Sequence, residues 1–323
     1  LLICAITFFI NLILLLEINL SKIKFLIYII PFLGIFFLIF NIKILIQYYK
    51  YINENNTLVL KIFLLLIFLN TLISPLDIDT LDYHIGFSGY IENAGYYNPQ
   101  KDWYHSVFFF NGEVIGLLGL IVKSDLFLNF LNFIGILILF RTIELTRYKS
   151  KTKTIIKFLV ISCPVILQLI ISGKPYLFPL SIIIFSFYEL NKILLINNYK
   201  NKYYKDTLLL FIIIIFGCSF RYEFYILLLI IFVYFLIFKI SLATKLVKYS
   251  IIGFLISIFP ILLRNYKYFK DPLFPFLSSQ NFGNEYVAFI NGLGSLNSIY
   301  GLDKILIFPF NLFISTIPGY FIT

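Results

Sequence analysis

The chain has 323 residues, 60% hydrophobic and 13% charged, with a mean hydropathy of +0.94. Globular chains carry about 25% charged residues, and one water-soluble core cannot hide this much apolar side chain, because folded surfaces need polar cover. The net charge of +10 comes from 26 Lys and Arg against 16 Asp and Glu; the basic residues lie between apolar blocks, which is the pattern of membrane-protein loops rather than a nucleic-acid-binding stripe.

Apolar blocks fall at 1–16, 25–46, 58–75, 125–143, 155–171, 176–196, 207–219, 224–238, 250–263 and 304–321. Most are roughly 16–22 residues, the length that crosses a bilayer as helix. The spacing predicts an all-α polytopic transmembrane helical bundle of about ten spans, a single integral membrane domain over 1–323. Residues 1–16 lack the basic start and small-residue cleavage site of a signal peptide, so they are expected to be a span. The stretch 106–122 is interrupted by Asn111, Gly112 and Glu113, and is expected to lie at the interface as a helix of the first large extracytoplasmic loop. Cytoplasmic loops then hold 16 basic against four acidic residues, a net of +12, and the other side ten against twelve, a net of −2. That asymmetry is the positive-inside sorting of a multi-pass protein. Cys4, Cys163 and Cys218 sit in apolar blocks as small hydrophobes. The chain has no Met and stops shortly after an apolar run, so a fragment is expected.

Chemistry concentrates in a few polar stretches. Ser74-Pro75-Leu76-Asp77-Ile78-Asp79-Thr80-Leu81-Asp82-Tyr83-His84 follows directly on a span. Negative charge at such a place is costly unless a cation, a metal or a proton-transfer task compensates it. Its side chains suit a divalent ion or a general base, and equally a solvated loop whose Asp residues cap a short helix at 79–92. The segment from Gly95 to His105, with Tyr96, Tyr97, Trp103 and Tyr104, fits an interfacial aromatic belt or a sugar-stacking surface. Glu113, a carboxylate in an apolar stretch, needs a partner, either His105 or a basic residue at a neighbouring helix end. Ser172-Gly173-Lys174-Pro175, Arg221-Tyr222-Glu223 and Arg264-Asn265 each place a cation at a span end. Each suits a snorkelling anchor, a local ion pair or a phosphate ligand. Asp79, His84, Glu113, Lys174, Arg221 and Arg264 all map to one membrane face.

In this order, Pro75 to His84, His105-Ser106 with Asn111 and Glu113, Ser172 to Pro175, and Arg264-Asn265 with Asp271-Pro272-Leu273-Phe274-Pro275 resemble the motifs of the GT-C superfamily of polytopic glycosyltransferases. The likeness is to a bacterial branch and runs from about residue 58 to 276. It implies a GT-C-like core over 58–323, preceded in 1–57 by two extra spans, in a bacterial inner membrane with the active face extracytoplasmic. It also implies transfer of a sugar from a polyprenyl-phosphate donor to a lipid, glycan or protein acceptor. Asp79, Asp82 and His84 would be catalytic, with Asp79 and Asp82 holding a divalent cation such as Mg or Mn. Glu113, His105, Lys174, Arg221, Arg264 and Asn265 would bind substrate. The implied partners are the lipid-linked sugar and membrane lipid, with no nucleic acid. Tyr176 stands where many related sequences have an acidic residue. A lipid-linked glycan transporter or flippase would carry ionisable residues near mid-span, which these spans nearly lack. A non-catalytic membrane protein of the same fold is the third reading.

Overall fold

The computed structural model describes residues 2–22, 56–75, 77–100, 103–195, 204–238 and 240–274. They are helical, with no strand among them; the expected spans at 25–46 and 304–321 lie outside the described residues. In chain order the helices are α1 (Leu2–Leu15), α2 (Leu58–Asn70), α3 (Gly86–Ala94), α4 (Asn111–Ile121), α5 (Phe127–Leu145), α6 (Ser150–Ser162), α7 (Pro164–Ile171), α8 (Leu177–Leu195), α9 (Tyr204–Cys218), α10 (Phe224–Phe238), α11 (Ile240–Ser257) and α12 (Phe259–Phe269). A π-helical turn, Thr80–His84, precedes α3.

Helix α5 alone is long and apolar enough to cross a bilayer; counting α6–α7 and α11–α12 as one span each gives up to three among the described residues. Both pairs break at proline. The stretch 155–171, expected as one span, bends by 61°, because Pro164 lacks an N–H and biases Cys163 to extended backbone (φ −71°, ψ 116°). Pro260, in the first turn of α12, marks the second break, a 49° bend. Helix α8 packs between α5 and α9, and α9 against α11, while α1 crosses α4, α11 and α12.

Helix α4 departs from the expectation for 106–122. An interfacial helix keeps one face in water and one in lipid, but nearly every residue of α4 is buried, its polar first turn included. It is an internal helix about 16 Å long, wrapped by α1, α3 and α5. Gly112 permits a close approach: a Cβ there would lie 2.6 Å from the Pro175 ring and 3.1 Å from the Phe220 carbonyl oxygen.

Two ends of the bundle emerge from contacts made far apart in sequence. At one, residues after α2 meet the α7–α8 turn, and Lys267 reaches Glu17. At the other, Lys157 and Lys153 meet Glu144, Lys157 reaches Asn56, and Tyr188 donates to the Leu145 carbonyl.

A buried polar seam ties the elements together. Asn111 accepts from Asn11 Nδ2 (2.8 Å) and donates to Ser219 Oγ (2.6 Å) and the Ser257 carbonyl (2.9 Å). Removing one partner of a buried hydrogen bond leaves the other unsatisfied, at about 1–3 kcal/mol per group. Asn111→Leu is therefore expected to destabilise the protein by at least ~2 kcal/mol, read as a lower midpoint in thermal unfolding of the purified chain. An unchanged midpoint would show that the seam adds little.

Candidate functional site

The acidic loop folds onto the α7–α8 turn. Asp77 Oδ2 accepts from the Thr80 N–H and hydroxyl, both at 3.1 Å, and so caps the π-helical turn as the loop's composition suggested. Thr80 Oγ1 also donates to the Ser172 carbonyl. Gly173 takes φ +71°, a conformation that favours glycine, and a Cβ there would sit 2.9 Å from Thr80 Cγ2. Asn132 clamps the turn from α5, donating to the carbonyls of Leu169 (2.8 Å) and Lys174 (2.7 Å).

That turn delivers Lys174, only 8% exposed, to both carboxylates: its Nζ lies 2.8 Å from Asp79 Oδ2 and 3.2 Å from Asp77 Oδ2. Asp79 remains 30% exposed. Asp82 faces a different group, accepting from Trp103 Nε1 at 2.9 Å and pairing with His105 Nδ1. His105 stacks on Tyr83 with ring centroids 4.7 Å apart.

Behind this surface lies a buried charge cluster. Glu113 Oε1 is 2.8 Å from His84 Nδ1, and its Oε2 accepts from the Phe110 N–H (2.8 Å), closing the first turn of α4. Arg221 Nη1 donates to the Tyr83 hydroxyl at 2.9 Å and lies 3.5 Å from Glu113 Oε1; its Nη2 is 3.2 Å from Glu223 Oε1. The guanidinium stands over the rings of Tyr83 (5.5 Å) and Tyr176 (4.7 Å). Burial pulls the His84 pKa down to about 4, against the pull of Glu113, so the imidazole is neutral at pH 7 and donates to Glu113 through Nδ1. Burial opposes ionisation of Glu113, but His84, Arg221 and the Phe110 N–H together hold its pKa below the usual carboxylate value. Arg221 thus balances Glu113, and neutral His84 bridges them, donating to Glu113 through Nδ1 and accepting from Arg221 Nη1 at Nε2 (3.3 Å).

Arg264 occupies neither group. It is fully buried, donating through Nη1 to Asn11 Oδ1 (2.9 Å) and through Nη2 to the Phe109 carbonyl, and it sits over the rings of Tyr97 (4.7 Å) and Phe109 (4.9 Å). Asn265 folds the chain back, donating to the Phe274 carbonyl at 3.1 Å. The expectation that Lys174, Arg221 and Arg264 face an outer cavity as phosphate ligands is not met, because each is buried and committed to protein partners. Glu113 pairs with His84 and Arg221 rather than His105. Nor do Asp79 and Asp82 share a ligand position: an ammonium sits where Asp79 would take a cation, and Asp82 holds an indole and an imidazole. Among the described residues no group of three or more His, Cys, Asp or Glu is arranged for a metal ion, and the donor set around Asp79 is that of a lysine site.

The roles of Tyr83 and Tyr176, which flank the Arg221 guanidinium, emerge only in three dimensions. Asn11 carried a signal, being a lone amide within an apolar block.

A family model, the DUF1420 N-terminal domain, matches residues 5–323. No curated protein and no solved structure matches the chain.

Between pH 6.5 and about 4 an unfolded His84 takes up a proton that the folded one refuses, so stability falls on acidification through that window. Glu113, with its depressed pKa, acts in the same direction at the acid end. The midpoint of thermal unfolding is expected to drop between pH 7 and pH 5, and His84→Asn, which keeps a donor near the Nδ1 position but does not titrate, is expected to flatten that slope. Parallel slopes in both proteins would assign the acid sensitivity elsewhere.

Proposed function

The chain belongs to the DUF1420 N-terminal domain family, and we propose that it is a membrane glycosyltransferase acting on a polyprenyl-phosphate-linked sugar at the extracytoplasmic face of a bacterial cytoplasmic membrane. Two observations support a multi-pass, membrane-embedded bundle of about ten spans. The charge sorting of its loops is one. The other is exposed apolar surface beyond what a soluble monomer carries: Leu58, Leu65 and Leu69 on α2, and Ile226, Leu229, Ile230 and Ile237 on α10.

The observation that carries the reading is Asp79. Its Oδ2 is held by buried Lys174, while Oδ1 has no hydrogen-bond partner among the described residues. A carboxylate fixed on one side and open on the other is positioned to accept a proton. On the same loop and its neighbours Asp82, His105, Trp103 and Glu223 are each at least partly exposed. Carboxylates and aromatic rings suit a hydroxyl-rich ligand, with the acids accepting hydrogen bonds and the rings covering apolar sugar faces. In the transfer, an acceptor hydroxyl oxygen bonds to the anomeric carbon as the bond from that carbon to the donor phosphate oxygen breaks. The electron pair leaves with the polyprenyl phosphate, and the hydroxyl proton passes to Asp79. Lys174 orients Asp79, and the buried Arg221, neutralised by Glu113 and Glu223, holds Tyr83 beside the site.

Asp79→Asn preserves volume and removes the basicity, so it is expected to lower transfer from a polyprenyl-phosphate sugar at least ~100-fold, the usual scale of general-base loss, with normal yield of folded protein. Asp77→Asn is expected to cost less activity and some stability, because Asp77 caps the turn. Activity retained by Asp79→Asn removes the base. No transfer by the unaltered chain, with any of several lipid-linked sugars, favours a non-catalytic membrane protein.

A further inference from the structure

The segment 141–157, from the end of α5 through the turn into α6, carries six basic residues, Arg141, Arg147, Lys149, Lys151, Lys153 and Lys157, against one acidic residue, Glu144. Arg141 is half-buried on α5, and the other five divide into two sets. Lys157 is buried, 2.5 Å from Glu144 Oε1 and 2.7 Å from Asn56 Oδ1, and Lys153 lies 3.7 Å from Glu144 Oε2 and donates to the Glu144 carbonyl. Glu144 is thereby spent on the inner pair. Arg147, Lys149 and Lys151 are exposed, and no ion pair engages them among the described residues. Between them stands Tyr148, 59% exposed.

The neighbourhood of this patch defines its partner. It caps α5, the one described helix that is long and apolar enough to cross a bilayer alone. Just along α6, Ile155 and Leu159 are exposed apolar side chains on the other flank. A tyrosine ringed by unpaired cations, directly above apolar side chains, is the profile of a segment seated among lipid headgroups. A soluble anionic partner would not need the apolar rim.

We propose that Arg147, Lys149 and Lys151, with Tyr148, form a docking surface for anionic lipid headgroups on the basic side of the bundle, at the end opposite the Asp79 site. This rests on the membrane reading above and is independent of the sugar chemistry. Each exposed cation near an anionic surface adds about a fivefold preference, so the three together add roughly 100-fold.

The test uses the full chain in lipid nanodiscs of pure phosphatidylcholine or of phosphatidylcholine with phosphatidylglycerol. Enrichment of phosphatidylglycerol around the protein is measured by native mass spectrometry at two salt concentrations. The unaltered chain is expected to enrich the anionic lipid, less so at high salt, and R147Q/K149Q/K151Q is expected to lose most of that preference. Lys123→Gln, an exposed cation at the other end, is expected to keep it. Equal enrichment by the triple variant and the unaltered chain would overturn the proposal, as would millimolar inorganic phosphate abolishing the preference, which would reassign the patch to free anions. A chain washed from membranes by alkaline carbonate would overturn the membrane reading itself. A chain that stays inserted but shows no lipid preference overturns only the docking surface.

Discussion

Helix α4 has nowhere to put its polar first turn except against other polar groups. It begins inside the protein, where unpaired amides and carboxylates each cost kilocalories, and its two demanding side chains lie two positions apart. At 3.6 residues per turn, that spacing sends Asn111 and Glu113 to nearly opposite sides of the helix. Asn111 gathers Asn11, Ser219 and the Ser257 carbonyl; Glu113 gathers His84 and Arg221. One short helix thereby fixes α1, the acidic loop, the α9–α10 turn and the end of α11 relative to one another. Apolar helix faces are interchangeable as packing partners, so the internal polar bonds select which helices meet.

The same cluster sorts the charges. Lys174, Arg221 and Arg264 turn inward and are consumed by protein partners, whereas several carboxylates stay at least partly open. Arg221 lies flat between Tyr83 and Tyr176, with Glu113 and Glu223 at its edges. Breaking a buried pair leaves an uncompensated charge worth about 3–5 kcal/mol, so these arginines are poorly suited to exchanging partners with a passing phosphate. The surface offered to ligands is acidic and aromatic, and the cations behind it are fixed by their own carboxylate partners.

Much of this was legible in the amino-acid order, and the rest was hidden for identifiable reasons. The helical class followed from apolar blocks, and the polar stretches that supply Asp79, Lys174, Glu113 and Arg221 stood out between them. The burial of α4 did not follow. Asn111, Gly112 and Glu113 break an apolar run, which reads the same for a helix lying on an interface as for one enclosed by polar partners. Arg264 misled similarly: a basic residue at the end of an apolar block suggests a side chain reaching for water, and only the fold reveals Asn11 and the Phe109 carbonyl waiting for it. The 61° bend was foreshadowed by Pro164, yet hydropathy averaged across 155–171 concealed it.

The elbow at Cys163–Pro164 gives the two ends of the bundle a mechanical relation. Helix α7 is a rigid arm of eight residues, about 12 Å long at 1.5 Å per residue, pivoted at the elbow and carrying the Ser172–Lys174 turn at its tip. Helix α6, on the far side of the pivot, is anchored at its own start by Lys153 and Lys157 to Glu144. A change of about 10° at the pivot would swing the tip by ~2 Å over that arm length, more than the slack in a 2.8 Å contact between Lys174 and Asp79. The Lys174–Asp79 contact thus depends on the angle of this elbow, which Asn132 holds from α5 through the Leu169 and Lys174 carbonyls.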